Sequence, residues 1–409
     1  MKIGFDITAL SMPKTGIGQY QFNLLNSLFK IDRENQYNLY AFNLRDNAKY
    51  CGLDFKIPFG NMRMHAYKIP QRLITAWWLM ARWPRLENIT EKCDLYQISE
   101  ICQQPTRAKT VAFIHDITTI LYPQYHLLKN KILYHYRFKG IKKYANAVLT
   151  NSQNTKRDII ERIGIPAERI FVTPFGVHER FRPIGKKNNS RVKTDITLGN
   201  DSGLKAVADF QSDSAKNERI ALQGVLKKYG IEEPYICYLG TIEPRKNLVN
   251  LLQAFYELKN KEKIPHKLVL IGKDGWFYEE IYRKIGELGL GDDVVRTGFV
   301  SDEEVPYLLN GTEVFVYPSF YEGFGLPVLE AMACGVPVVT SSMSSLPEVG
   351  GDAVKYVNPM NHSDIAGRIL EFVKSPSERD KYSKLGIERA RNFTWNKCAK
   401  ETLKIYKSL

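Results

Sequence analysis

Two carboxylates and the loop between them carry the plainest chemical signal in this chain. The stretch reads Ser319-Phe320-Tyr321-Glu322-Gly323-Phe324-Gly325-Leu326-Pro327-Val328-Leu329-Glu330 and continues Ala331-Met332-Ala333-Cys334-Gly335-Val336-Pro337-Val338-Val339-Thr340. An apolar β-type run, Val314–Tyr317, leads into the glycine loop. Pro327 suits the first turn of a helix, where its missing N–H costs nothing. The amides of Phe324, Gly325 and Leu326 then point forward from the helix start. Free N–H groups and the helix dipole together make an anion site there, suited to a diphosphate. Glu322 stands before that site and Glu330 about one turn inside the helix. The two acids can therefore address different ends of one ligand, a hexose on one side of a pyrophosphate and a ribose on the other. Taken singly, Glu322 also reads as a solvated loop acid and Glu330 as a first-turn acid favoured by the dipole.

A second constellation is Tyr238-Leu239-Gly240-Thr241-Ile242-Glu243-Pro244-Arg245-Lys246-Asn247. The pattern predicts a strand ending at Gly240 and a helix beginning near Asn247, with Arg245 and Lys246 at the helix N-terminus. Cations there oppose the dipole, and a bound anion removes the conflict. Arginine offers forked donors and lysine a compact charge, both suited to a diphosphate leaving group. The plain alternative is an exposed basic turn.

Glu322 and Glu330 form a Glu-x7-Glu pair, preceded by Glu-Pro-Arg-Lys-Asn at 243–247. In both features the chain resembles glycosyltransferase family 4, the group 1 retaining transferases of the GT-B fold, and in Ile114-His115-Asp116 it resembles their mannosyltransferase-like members. The resemblance runs from Thr15-Gly16-Ile17-Gly18 to Phe393-Thr394-Trp395; only residues about 185–217 lack a counterpart. It implies that Glu322 contacts hexose hydroxyls, Glu330 the donor ribose, and Arg245 and Lys246 the diphosphate. It implies a base-binding loop at Thr297-Gly298-Phe299-Val300-Ser301-Asp302, where Val300 offers backbone groups and Asp302 can accept from the adjacent N–H donors of a guanine. The competing explanation of that loop is a capping box between Ser301 and Glu304. Gly272, in Gly272-Lys273-Asp274-Gly275, either lines the same pocket or makes an ordinary turn.

On the acceptor side, the resemblance implies that Gly16 and Gly18, in Lys14-Thr15-Gly16-Ile17-Gly18-Gln19-Tyr20, face the donor phosphates or the acceptor. A lone Gly-x-Gly is by itself a weak signal and also fits a tight turn. It places His115, in Ile114-His115-Asp116, near the hexose and acceptor, orienting a hydroxyl rather than holding a metal. It implies retention of anomeric configuration, with no enzymic nucleophile established and Glu322 not to be taken as one, and a front-face route in which donor phosphate assists the acceptor. No Asp-x-Asp occurs, so the expectation is a metal-independent enzyme without a cofactor, in which Arg245, Lys246 and helix amides replace a cation.

These residues need strands and helices to aim them. Lys2–Ile7, Thr110–His115, Ala147–Ser152 and Arg169–Pro174 read as strands, separated by helical patterns at Gly16–Phe29, Lys129–Tyr144 and Asn154–Ile163. A second alternation contains Tyr235–Leu239, Lys267–Ile271, Val294–Thr297, Val314–Tyr317 and Val336–Thr340. Strand–helix alternation implies parallel sheets with helices on both faces. The expected fold is α/β: two Rossmann-like domains facing a central cleft, with ligands at the C-terminal ends of the strands. The expected division is an acceptor-binding domain over 1–180, rejoined by a C-terminal helix over 395–409, and a nucleotide-sugar domain over 181–394. Residues 185–217 are polar and read as an insert or linker.

Composition is that of a soluble globular protein, 44% hydrophobic and 25% charged over 409 residues. No long uncharged apolar stretch predicts a transmembrane helix, and Asp6 interrupts the N-terminal apolar run too early for a signal peptide. A cytoplasmic location is expected. Cysteines at 51, 93, 102, 237, 334 and 398 form no Cys-x-x-Cys pair, which leaves zinc and dithiol chemistry unsupported. The net charge of +14 sits largely in residues 1–178, with 25 Lys and Arg against 13 Asp and Glu. A basic face attracts phosphate-bearing partners. The segment Trp77-Trp78-Leu79-Met80-Ala81-Arg82-Trp83-Pro84-Arg85 mixes aromatics with arginines, and fits either a peripheral contact with the inner membrane face or a buried helix with an exposed Arg pair.

The leading expectation is a hexosyltransferase using GDP-mannose as substrate, with a saccharide or lipid-linked saccharide acceptor, in polysaccharide or glycolipid synthesis. The nearest rival uses a UDP- or dTDP-sugar such as glucose or rhamnose. A sugar-nucleotide epimerase is less well matched. A nucleic-acid binder would not need Glu322 and Glu330, and no nucleic-acid partner is expected.

Overall fold

Every β-type run read above becomes a strand, because a parallel strand covered on both faces needs an unbroken apolar run. In the computed structural model, which describes residues 1–11, 16–42, 59–98, 104–184 and 216–409, the strands form two all-parallel sheets. The first contains β1 (Lys2–Asp6), β2 (Gln36–Phe42), β3 (Met62–Tyr67), β4 (Leu95–Ile98), β5 (Lys109–Ile114), β6 (Ala147–Thr150) and β7 (Ile170–Val172). Their order is β3-β2-β1-β4-β5-β6-β7. The second contains β8 (Tyr235–Leu239), β9 (Lys267–Ile271), β10 (Val294–Gly298), β11 (Val314–Tyr317), β12 (Val338–Ser341) and β13 (Lys355–Val357), in the order β10-β9-β8-β11-β12-β13. Both orders reverse direction once, as in doubly wound sheets, between β1 and β4 and between β8 and β11. Ligands of such sheets bind beyond the strand ends at the reversal.

The chain divides into two units. Unit 1 holds Met1–His178, Tyr321–Phe324 and Phe393–Leu409; unit 2 holds Glu179–Phe320 and Gly325–Asn392. The short stretch containing Glu322 thus packs with the first sheet, although β11 and the helix Leu326–Ala333 on either side of it belong to unit 2. The polar stretch 185–217 lies outside the described residues except for its last two. Those open a helix over 216–228.

In unit 1 the helix Gly16–Ile31 buries Tyr20, Leu24, Leu25 and Leu28. Its start is tied to the end of β1 by Gln21 Nε2, which donates to Asp6 O at 3.1 Å. Asp6 is itself held by the Thr8 amide at 2.8 Å and Gln104 Nε2 at 2.6 Å. The C-terminal helix Trp395–Ser408 begins at Thr394, whose hydroxyl caps Lys397 N. Tyr406 of that helix donates to Gln97 of β4 at 3.0 Å. The pattern Asn154–Ile163 becomes an α-helix, Gln153–Asp158, continued by a wider π-turn, Ile159–Ile163. No helix among the described residues is long and apolar enough to cross a membrane.

Candidate active site

In unit 2 the sheet reversal lies between β8 and β11, and the loops leaving those strands carry the basic pair and the helix of Glu330. The helix starts one residue beyond the expected position, and the basic pair lies in the turn just before it. Pro244–Lys246 form a 3-10 turn, Asn247 takes a left-handed conformation (φ 60°), and the helix proper is Leu248–Asn260. The cations therefore precede the helix, and both have partners within the chain. Arg245 Nη2 donates to Glu243 Oε1 at 2.5 Å, with both side chains largely buried. Lys246, 7% exposed, donates from Nζ to the Tyr317 hydroxyl at 2.8 Å, with that ring's centroid 5.2 Å away. The exposed basic turn considered above does not describe these residues. The turn is strapped to the loop after β11: Phe320 N donates to Arg245 O at 3.0 Å, and Asn247 Nδ2 to Pro318 O at 3.0 Å.

Gly272 has a packing reason of its own. A Cβ there would lie 2.0 Å from Gly240 O. This approach lets the loops after β8 and β9 zip together, Ile242 N donating to Lys273 O and Gly275 N to Ile242 O, each at 2.9 Å. Gly272 thus shapes the loop that presents Arg245 and Lys246.

The helix Leu326–Ala333 starts from Gly325 (φ 109°), with Pro327 in its first turn. Val328 N and Leu329 N turn back to Gly325 O at 3.1 and 3.3 Å, and the preceding amides belong to the donor-rich start of the helix. Glu330 is half-buried. Its carboxyl is pushed up to about 8, mainly by burial, then by the Asp302 carboxylate, with the Arg180 charge acting against both. Asp302, expected at a nucleobase, is thus a neighbour of Glu330. Ser301 and Glu304 do not form a capping box. Ser301 Oγ donates to Glu304 Oε2 at 3.0 Å, that carboxylate also accepts from Lys228 and Tyr229, and the helix Val305–Gly311 has no side-chain cap. Val300 is buried, while Phe299 beside it is exposed. Ser319 is buried, and its hydroxyl has no hydrogen-bond partner among the described residues.

In unit 1 the structure gathers His115 and the stretch Tyr321–Phe324. Glu322 is buried, 8% exposed, so it is not a solvated loop acid. The stretch is anchored by Ser152 Oγ, which donates to Gly323 O at 2.7 Å, by Thr155 Oγ1 on the same carbonyl at 3.2 Å, and by the Tyr321 hydroxyl on Asp158. Phe324 packs on Phe175, with centroids 5.1 Å apart. A Cβ on Gly323 would lie 2.0 Å from His115 O, so the loop backbone runs directly against His115. The His115 ring is packed against Tyr20, Phe113 and Phe175. Burial, then the charge of Arg137, holds its imidazole well below the usual value, so it is neutral at neutral pH. A neutral imidazole can orient a hydroxyl but holds no proton to give as a strong acid. Gly16 and Gly18 open the helix after β1. A Cβ on Gly16 would meet nothing within 4 Å, and one on Gly18 only Ala9 O at 3.7 Å. Lys14 and Thr15 lie outside the described residues.

Sequence reasoning missed Arg180, Ser152, Thr155, Asp158 and Ser319. Arg180 was visible as a cation in Phe175-Gly-Val-His-Glu-Arg-Phe, but nothing local tied it to Glu330. Ser152 carries a cap signal, since its hydroxyl also accepts Thr155 N at 3.0 Å. Among the described residues no group of three or more His, Cys, Asp or Glu is placed to hold a metal ion.

Known proteins resemble this chain in sequence and in fold. Residues 16–181 match the family described as Glycosyltransferase Family 4, and residues 226–389 match Glycosyl transferases group 1. The chain is 30% identical to the O-antigen chain mannosyltransferase B of Escherichia coli, over all of both chains. Its fold resembles sucrose-phosphate synthase of Thermosynechococcus elongatus, with a TM-score of 0.72 at 18% identity over 100% of this chain and 98% of that one. It also resembles Alr3699/HepE of Anabaena in complex with UDP-glucose, with a TM-score of 0.67 at 18% identity over the full length of both. With two doubly wound parallel sheets of the GT-B class and full-length similarity at this level, the chain belongs to the group 1 glycosyltransferases of family 4 and is a hexosyltransferase.

Proposed function

We propose that the chain is a retaining, metal-independent mannosyltransferase that takes mannose from GDP-mannose and adds it to a saccharide or lipid-linked saccharide acceptor. It acts in the synthesis of a surface polysaccharide or glycolipid, in the cytoplasm at the inner face of the membrane. The observation that carries the donor reading is the placement of Arg245 and Lys246 in a turn held against the end of β11. The helix of Glu330 follows from that same strand. The mannose assignment is supported by the name of the full-length relative.

Breaking the bond from the sugar's anomeric carbon to the diphosphate leaves positive charge on the sugar and negative charge on the phosphate. Arg245 and Lys246 are cations at the strand ends where such a phosphate would rest, and helix amides near Leu326 add donors. Groups already fixed in place act on the developing charge without reorganising. Glu243 and Tyr317 hold the two cations in position. Glu322 orients hexose hydroxyls, Glu330 accepts from the ribose diol, and neutral His115 orients a sugar hydroxyl. The acceptor attacks from the face the leaving phosphate occupies, and that phosphate receives its proton. Asp302, beside Glu330, reads the N–H edge of guanine.

The test is a thermal-shift panel with GDP, UDP, dTDP and ADP. A ligand at 100 times its Kd stabilises by about 2.7 kcal/mol. Stabilisation by GDP alone is expected. A response to UDP or dTDP instead would replace the donor, and silence with every nucleotide would overturn the transferase chemistry placed here.

A further inference from the structure

The helix Gln71–Met80 is apolar on two sides. Ile74 and Trp78, one turn apart, face the core, where Trp78 packs on Phe42 and its Nε1 donates to Pro84 O at 2.8 Å. Leu73, Trp77 and Met80, at i, i+4 and i+7, form a stripe on the solvent side, Trp77 being 55% and Met80 86% exposed. Just beyond the helix, Trp83 is 58% exposed and meets Trp77 edge-on at 6.3 Å. An isolated surface apolar residue needs no explanation, but an aligned group does.

The helix Leu128–Tyr144 repeats the arrangement with charge added. It buries Arg137, Phe138 and Ile141. Its solvent face presents Leu128, Ile132 and Tyr136 and then Lys139, Lys142 and Lys143. From Asp116 to Asp158 the chain has eight Lys and Arg and no intervening acid. The two helices adjoin, because the Arg82 guanidinium lies 3.7 Å over the Tyr144 ring, and Lys143 Nζ is 5.1 Å from that same ring. On unit 1 the segment with the exposed tryptophans therefore adjoins the lysine-bearing end of the helix Leu128–Tyr144.

We infer that unit 1 docks on an anionic lipid bilayer through this surface, with Trp77, Met80 and Trp83 seated among the headgroups and Lys139, Lys142 and Lys143 against the lipid phosphates. Indole rings favour the membrane–water interface, and each nearby cation is drawn by the negative surface. A nucleic acid would use the cations but leave Leu73, Met80, Leu128 and Ile132 in water. A two-fold interface would set this same basic patch of one copy against that of the other. The inference rests on the proposed location at the membrane face and not on the donor assignment.

The full chain is sedimented with vesicles of phosphatidylcholine alone and of equal parts phosphatidylcholine and phosphatidylglycerol. The anionic vesicles are expected to carry it down, with binding weakened by salt. At about fivefold per lysine, the K139Q/K142Q/K143Q variant loses on the order of 100-fold in partitioning. A Trp77→Ser, Trp83→Ser variant also loses binding, while both variants keep the wild-type nucleotide-induced thermal shift, which shows that they fold. The proposal is overturned if the wild type ignores anionic vesicles, if either variant binds them as well as wild type, or if the tryptophan variant dissolves a dimer instead.

Discussion

Lys246 offers the sharpest test of the donor chemistry. It is buried, hydrogen-bonded to the Tyr317 hydroxyl at 2.8 Å, and set against that ring. Two roles fit a cation in such a place: a structural tie to β11, or a fixed charge for the leaving diphosphate. Lys246→Met keeps the stem and removes the charge. If the charge acts in the transition state, kcat falls by about 10²–10³, equal to roughly 2.7–4 kcal/mol of lost stabilisation, as for other preorganised donors. Tyr317→Phe removes only the hydroxyl. It costs stability of about 1–3 kcal/mol, because the ammonium loses a buried partner, but leaves the cation in place and kcat within about tenfold. With GDP-mannose as the proposed donor, single-turnover release of the labelled sugar gives the rates, and urea unfolding gives the stabilities. If Lys246→Met is destabilised yet turns over within about an order of magnitude of wild type, the lysine is a tie and the assignment of the diphosphate site is wrong.

Glu330 predicts a pH dependence. Burial pushes its carboxyl up to about 8 in the folded chain, against an ordinary 4.5, so the native state favours the protonated acid between those values and stability falls as pH rises through that window. A ribose diol donates best to the carboxylate. Nucleotide affinity should therefore weaken by up to about 50-fold between pH 8 and about pH 6, a slope that calorimetry would show and Glu330→Gln would abolish. Removing the Arg180 charge should move the midpoint to higher pH. Gly272→Ala forces a Cβ to 2.0 Å from Gly240 O. It should lower the melting temperature and weaken nucleotide binding together; an unaffected variant would show that the two loops separate freely.

Much of the scaffold was legible because its signals are local. Parallel strands such as Val314–Tyr317 and Tyr235–Leu239 announce themselves as apolar runs, and their bounds match the sequence reading. β2, β3, β4 and β13 escaped it. β4 is four residues and β13 three, and Gln36–Phe42 interleaves Asn38 with tyrosines, so only their neighbours in the sheet make them strands. Propensity cannot report a strand whose stability comes from pairing and burial.

The candidate site divides along the same line. The sequence alone determined which residues could do chemistry, since Glu322, Glu330, Arg245 and Lys246 stand where glycine and proline punctuate strand-to-helix turns. Those constraints act over a few residues and are written in residue type. Only the tertiary structure decided how these groups are held. It buried Lys246 against Tyr317, brought Asp302 and Arg180 to Glu330, and packed Tyr321–Phe324 against His115 and Ser152 in unit 1. The distances in sequence explain the difference: 71 residues separate Lys246 from Tyr317 and 171 separate Ser152 from Gly323. Burial and charge at a site depend on what the whole fold brings beside it.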